Sequence, residues 1–131
     1  MTTLRIGIAS YEEMKARTLA VARGERHPSP SEPRLWFTSL ESLAKVLSPS
    51  NLGLLRLIDE QSPGSLEDLS RLTGRAKSNL SRTLKRMADY GILRLERGER
   101  GRIAAKVIHD RVRLELPLIP PRPAGHGRRA A

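Results

Sequence analysis

The chain of 131 residues contains no cysteine, and its aromatic residues are one Trp, one Phe and two Tyr. The absence of cysteine excludes disulfides, thiol catalysis and cysteine-based zinc sites, and it fits a reducing compartment. No apolar run approaches the roughly 18 residues of a transmembrane helix, and the start "MTTLRIGIAS" lacks the apolar core of a signal peptide. We therefore expect a cytoplasmic protein without a membrane partner, with a small core of Leu, Ile and Val.

Motifs for catalysis are also missing. His27, His109 and His126 are far apart, and no metal-ligand spacing, phosphate loop or nucleophile elbow occurs. We expect no enzymatic activity, no catalytic residue, no metal site and no cofactor.

Positive charge is abundant and unevenly distributed. The net charge is +10, and most of the 24 basic residues are arginine, which is suited to bidentate contacts with phosphate and guanine. Residues 1–74 are neutral, with nine basic and nine acidic side chains, whereas residues 75–113 carry twelve basic and four acidic ones, a net of +8. This local excess is the electrostatic pattern of a surface for nucleic acid or another polyanion.

Residues 1–47 read as a strand–helix–strand segment followed by a short helix. Alternating apolar residues predict strands over 4–10 and 34–39. S/T-x-x-E capping boxes beginning at Ser10 and Thr38 predict that a helix follows each strand. We expect this N-terminal extension to contact a dimer partner or another protein.

Residues 48–118 show three helical segments followed by three strands. The helices are predicted at 48–62, 65–74 and 76–90, and the strands at 92–97, 102–108 and 110–118. The predicted apolar face of the first helix consists of Leu52, Leu55 and Ile58, with Leu54 alongside, and that of the third helix contains Leu80, Leu84 and Met87. The turn "TGR" at 73–75 has the length and the glycine of a helix-turn-helix, and the hairpin after the third helix corresponds to a wing. The predicted fold class is α+β, a winged helix-turn-helix with an N-terminal strand–helix–strand extension, and residues 119–131 are predicted to be a disordered basic tail.

The helix 76–90 is the predicted recognition helix, since the second helix of such a motif enters the major groove. Side chains near its start are assigned to base edges: Lys77, Ser78, Asn79, Ser81 and Arg82. Arg75, Lys85 and Arg86 are assigned to phosphates, and the wing residues Arg97, Arg100 and Arg102 to the DNA backbone or the minor groove. The alternatives are an ordinary solvated helix face for the basic side chains and a local capping role for Asn79.

Residues 35–118 resemble the winged-helix regulators of the MarR/ArsR type. The segment "LSRTLKRMADYGILRLERGERGR" is similar to their recognition helix and wing, where the helix ends in a "GIL"-type step. More narrowly, "EPRLWFTSLESLAKVLSPSNLGLLRLI" followed by "DRVRLELPL" resembles a family of small prokaryotic winged-helix regulators, some of which look like antitoxins encoded beside small toxins. Unlike many ligand-sensing relatives, the chain lacks a long C-terminal dimerisation helix, so a dimer would use residues 1–47 or the strand 110–118.

Together these features predict a sequence-specific, double-stranded-DNA-binding transcriptional regulator, a repressor that acts as a homodimer. It would read the major groove with helix 76–90 and the backbone or minor groove with wing 97–102. One alternative is an antitoxin that also binds a small toxin protein and regulates its own operon. Another is a winged helix used for protein–protein contact. RNA binding is a third, and the scarcity of aromatic stacking residues argues against single-strand recognition.

Overall fold

The computed structural model describes residues 2–119, without the side chain of Glu99, and its fold is α+β. The five strands of these residues are β1 (Thr2–Ile8), β2 (Leu35–Phe37), β3 (Leu93–Arg97), β4 (Ile103–Val107) and β5 (His109–Glu115). The five α-helices are α1 (Tyr11–Ala22), α2 (Leu40–Val46), α3 (Pro49–Gln61), α4 (Leu66–Thr73) and α5 (Lys77–Asp89). The tail predicted at 119–131 lies outside the described residues, apart from Ile119.

A three-stranded parallel sheet with the order β2-β1-β5 joins the two ends of the described chain. The predicted strand 110–118 is β5; it ends at Glu115, and Pro117, which has no N–H for a sheet ladder, follows it. Its neighbour is β1, and the hairpin strands β3 and β4 lie in a separate sheet. The predicted segments 1–47 and 48–118 therefore share one sheet.

One face of this sheet is covered by α1. The predicted capping box is present, because Ser10 accepts from the Glu13 backbone N–H while the Glu13 carboxylate accepts from the Ser10 N–H. Gly7 lies opposite Trp36 in the β1–β2 register, and the indole rests directly against it. Arg17 of α1 stacks on that indole, with its guanidinium carbon 4.8 Å from the ring centroid. The helix α1 thus packs on the Gly7 face.

Two details of the predicted helices are wrong. The cap of α2 is Ser39, whose hydroxyl accepts from the Ser42 N–H, and Thr38 does not cap it. In α3 the fully buried residues are Leu54 and Ile58, whereas Leu52 is 48% exposed. The sequence predicts that Leu52 and Leu54 share the apolar face, and in the structure only Leu54 of these two packs into the core.

The helices α3, α4 and α5 and an antiparallel hairpin of β3 and β4 follow the chain order that the sequence predicts. Pro49 begins α3 after the cap Ser48, and Ser65 caps α4 by accepting from the Asp68 N–H. Gly74 ends α4 in the left-handed conformation, with φ of 75°. The short turn then leads directly into α5.

A single hydrophobic cluster connects the parallel sheet to the three helices and the hairpin. Ile6 on β1 and Leu80 on α5 are both completely buried in it. The ring of Phe37 contacts that of Tyr90, at the end of α5, with centroids 4.8 Å apart. The face of the sheet opposite α1 therefore supports the helices that carry the candidate site.

Candidate nucleic-acid interface

The orientation of α5 is set by three buried side chains at helical spacing. Leu80, Leu84 and Met87 are at most 1% exposed, as the sequence predicts. Because they fix one face of the helix on the core, the opposite face must point to solvent. The chain leaves α5 at Gly91, whose φ of 81° favours glycine.

The solvent-facing side of α5 presents the predicted contact residues together. Exposed side chains along the helix are Lys77, Ser78, Asn79, Ser81, Arg82, Lys85 and Arg86. Arg82, Lys85 and Arg86 form no ion pair with any of the side chains that the structure describes. The only acidic residue of α5 is Asp89, at its last position. This face therefore carries positive charge that no described acidic side chain neutralises, and it is exposed to solvent, where a polyanion could bind.

The first turn of α5 is open to an anion as well. Its N-cap is Ala76, which supplies no side-chain hydrogen bond, and the first turn contains no acidic residue. Asn79 is exposed and does not cap the helix. Since the first backbone N–H groups of a helix lack intrahelical acceptors, they can donate to a phosphate. This turn differs from the starts of α3 and α4, where Ser48 and Ser65 satisfy one such donor each.

Lys77 is shared with the neighbouring helix. Its Nζ donates to Oε2 of Glu67 on α4 at 3.0 Å, and both side chains are more than half exposed. That hydrogen bond is the main reason why the pKa of Glu67 is lowered from its usual 4.5, with smaller contributions from the Glu67 backbone, the charge of Lys77 and the charge of Arg102. The starts of α4 and α5 and the tip of the β3–β4 hairpin, which carries Arg102, therefore lie close together.

Arg75 has a different position from the one that its predicted phosphate contact implies. Its guanidinium donates to the Ser50 carbonyl at 3.1 Å, to the Ser50 hydroxyl and to Oδ1 of Asn51 at 3.3 Å. The Asn51 amide in turn donates to the Val46 carbonyl at 3.0 Å. Arg75 therefore ties the turn before α5 to the first turn of α3, and its side chain is only partly available to a ligand.

The β3–β4 hairpin exposes the three predicted arginines at its tip. Arg97 lies opposite Ile103 in the ladder, and the Gly98 N–H donates to the Arg102 carbonyl at 2.6 Å across the turn. Arg97, Arg100 and Arg102 are all exposed, and none of them is ion-paired with another described side chain. The tip thus adds three arginines to the charge of α5.

The conformation of Arg100 is unusual for this residue type. Its φ of 58° and ψ of 29° lie in the left-handed region, which costs a non-glycine residue roughly 1–2 kcal/mol. Gly101 beside it also has positive φ. Two consecutive left-handed residues close the tip, and one of them retains a long cationic side chain.

Two features of this surface are not predicted from the sequence: the partner of Lys77, and a pair of basic residues on the hairpin. Glu67 was not recognised as the partner of Lys77, because ten residues separate them and the contact depends on how α4 packs on α5. Arg94 and Lys106 lie opposite each other on the outer face of the hairpin, and both are exposed. Each of them lies between two apolar residues of its strand, and this alternation in the sequence could have identified both residues as exposed on one face.

Other site types have little support in residues 2–119. No cluster of His, Asp or Glu in this range could hold a metal ion. His109 contacts the Thr2 hydroxyl at 2.8 Å through Nδ1, while His27 lies in an exposed loop. None of the helices in this range has the length and apolar character required to cross a membrane.

Comparison with known families gives one match. The family model described as HVO_A0114 matches residues 46–114, more than half of the chain, and the chain belongs to this family. The matched span runs from the end of α2 into β5 and includes α5 and the hairpin. No curated protein and no solved structure matches the chain.

Proposed function

We propose that this member of the HVO_A0114 family is a sequence-specific, double-stranded-DNA-binding transcriptional regulator of winged helix-turn-helix architecture. In this proposal α4, the turn after it and α5 form the helix-turn-helix, and β3 with β4 forms the wing. The order of these elements, the short turn after Gly74 and the packing of α5 through Leu80, Leu84 and Met87 support it.

The observation that carries the proposal is the uncompensated positive face of α5. An α-helix fits the major groove of B-DNA, where arginine and lysine pair with guanine and asparagine with adenine. Arg82 and Asn79 are exposed on this face, near the open first turn that can hold a phosphate. Lys85 and Arg86, one turn further on, are placed for the flanking phosphates.

The wing supplies the second contact. The tip arginines Arg97, Arg100 and Arg102 extend from a hairpin that is rigidly paired over five residues of each strand. Arginine is the side chain that a narrow minor groove attracts most strongly. Wing contacts therefore increase affinity, while α5 provides the selection of sequence.

The structure refines the roles of two predicted contacts within this proposal. Arg75 acts chiefly by fixing the turn before α5 on α3, and Lys77 must exchange Glu67 for DNA when it binds. The acidic Glu67 then lies beside the phosphates and lowers affinity. We propose the roles predicted from the sequence for the remaining contact residues.

The regulatory mechanism that follows is repression by occupation of a promoter. A homodimer would place two copies of α5 on successive major-groove faces of a palindromic site. Bound there, it would exclude RNA polymerase.

The test compares three proteins on duplex DNA from upstream of the gene: the wild type, Arg100→Ala and Arg23→Ala. Arg100→Ala should weaken binding to all sequences and flatten the slope of log K against log salt by about one unit, the contribution of one lost phosphate contact. Arg23→Ala is the matched control, since Arg23 is exposed at the end of α1, on the opposite side of the sheet from the helices. It should leave affinity and slope nearly unchanged.

Two outcomes would contradict the proposal. In the first, the affinity of the wild-type protein for duplex DNA at about 150 mM salt is no higher than its affinity for an uncharged polymer. The second is an equal loss of affinity and slope in both variants. Either result would favour a protein-contact role for this surface.

A further inference from the structure

The outer edge of β5 has no strand partner among residues 2–119. In the order β2-β1-β5 this strand lies at the end of the sheet, and it extends over seven residues. An edge strand presents a row of backbone donors and acceptors that can pair with another chain. A long parallel sheet of three strands with such an edge is therefore open to extension.

An apolar row runs along this edge. Val112 and Leu114 alternate along β5, Leu116 follows its last residue in the same alternation, and the three are 39%, 44% and 41% exposed. In the β1–β5 register, Val112 lies opposite Leu4 and Leu114 opposite Ile6, both of which are buried. The core-facing side of the sheet therefore continues beyond the core as a half-exposed apolar strip.

The charges on the other face of β5 lack partners within the described chain. Arg113 lies opposite Arg5 in the ladder, and Glu115 lies opposite Gly7. Neither Arg113 nor Glu115 forms an ion pair with another side chain in the described part of the chain. Arg113 thus has a like charge on its inner side, and an acidic partner on its outer side would be stabilising.

Residues 112–116, "VRLEL", are self-complementary when two copies run antiparallel. With Leu114 opposite the partner's Leu114, Val112 faces the partner's Leu116 and Arg113 faces the partner's Glu115. Every apolar side chain then meets an apolar one, and every charge meets its opposite. The pairing ends at Pro117, which cannot donate a further hydrogen bond.

The neighbouring registers are worse on charge alone. Directly opposite residues in a sheet point to the same face. A shifted register must therefore still pair apolar-face residues with apolar-face residues and charged-face residues with charged-face residues. Centring on Val112 would oppose Arg111 to the partner's Arg113. Centring on Arg113 or on Glu115 would bring two identical charges together on the axis.

We propose that the chain forms a homodimer by antiparallel pairing of β5 with the same strand of a second copy, about a two-fold axis at Leu114. The two sheets become one continuous sheet, and the strip of Val112, Leu114 and Leu116 is covered by its own counterpart. Such an interface is isologous, the arrangement found in most homodimers. It forms without DNA, so its failure is distinguishable from failure of the proposed function.

The experiment is a charge swap in the full chain, with the dimer dissociation constant measured by sedimentation equilibrium without DNA. Arg113→Glu places two pairs of like charges in the dimer, and Glu115→Arg does the same. Each should weaken the dimer about tenfold or more. The double variant exchanges the charges across both pairs and should return to within about threefold of wild type. Loss of folding does not explain the first result, because a glutamate at 113 faces Arg5 within the chain.

Arg111→Glu is the matched control, since it changes the net charge as much as Arg113→Glu. In the proposed register Arg111 faces the partner's Pro117, so the dimer should change little. If the axis lay at Arg113, Arg111 would face the partner's Glu115, and the control would weaken the dimer instead.

Three results would overturn the proposal. They are a wild-type chain that stays monomeric at roughly 100 μM, single variants that dimerise as well as wild type, and a double variant that remains as weak as the single ones. If the chain is a monomer, the edge of β5 does not form a homodimer.

Discussion

Replacing Arg82 by alanine removes the guanidinium from the middle of the exposed face of α5. The side chain projects to solvent between the turns that bury Leu80 and Leu84, and no described acidic side chain forms an ion pair with it. The free protein therefore loses little, and its unfolding free energy should change by less than about 0.5 kcal/mol. A bidentate contact with a base is worth roughly 1–3 kcal/mol of discrimination. The affinity for the cognate duplex should then fall about 5- to 150-fold.

Fluorescence anisotropy with a labelled upstream duplex measures this loss, and an unrelated duplex of equal length measures the nonspecific part. Arg82→Ala should bring the two affinities closer together, because it removes a contact that depends on the base. Arg23→Ala loses the same charge on the far side of the sheet and should preserve the ratio. Base recognition by Arg82 is excluded if Arg82→Ala keeps the wild-type ratio of the two affinities, or if both variants lower the two affinities equally.

Three other predictions concern stability and the balance of charge. Gly7→Ala should lower the unfolding free energy by about 1–3 kcal/mol in urea titration, because the new Cβ would lie 2.4 Å from the Trp36 indole. Its control is Gly53→Ala, in open space within α3, which should raise the unfolding free energy by roughly 0.5–1 kcal/mol. Equal effects would contradict this packing. Arg75→Ala should cost about 1 kcal/mol through its lost bonds to α3, seen as a fall of a few degrees in Tm, and an unchanged Tm would argue against the structural role. Glu67→Gln should strengthen DNA binding and steepen its salt dependence, because Lys77 becomes free. Because the pKa of Glu67 is lowered in the folded protein, its ion pair with Lys77 stabilises the fold above the unfolded pKa near 4.5. This stabilisation is lost as pH falls through the lower folded pKa. Glu67→Gln should therefore lack this contribution to the loss of stability at acid pH.

The elements that the sequence predicted best are those determined by local signals. Ser10 with Glu13, Ser48 with Pro49, and Gly74 each fix a helix end through backbone groups a few residues away. The inward face of α5 was also correct, since three large apolar residues at helical spacing permit only one orientation. The exposure of its polar face follows from that orientation.

Features that depend on distant pairing could not be predicted in the same way. Alternation in "DRVRLEL" identifies a strand, but it does not say that the strand pairs with β1 at the other end of the chain. The hydrogen bonds of Arg75 to Ser50 and Asn51 depend on how α3 packs beside the turn. In both cases the interaction joins residues that are far apart in sequence, and a basic or apolar side chain alone does not reveal its partner.

Selection of bound duplexes from a randomised double-stranded library, with the wild type and Arg82→Ala in parallel, shows whether α5 recognises a DNA sequence. The proposal predicts that the wild type enriches a defined motif, with two inverted half-sites about 10 base pairs apart or a multiple of that distance. It also predicts that Arg82→Ala loses enrichment at one position of each half-site. A wild-type pool as random as the starting library would contradict sequence-specific DNA recognition by α5.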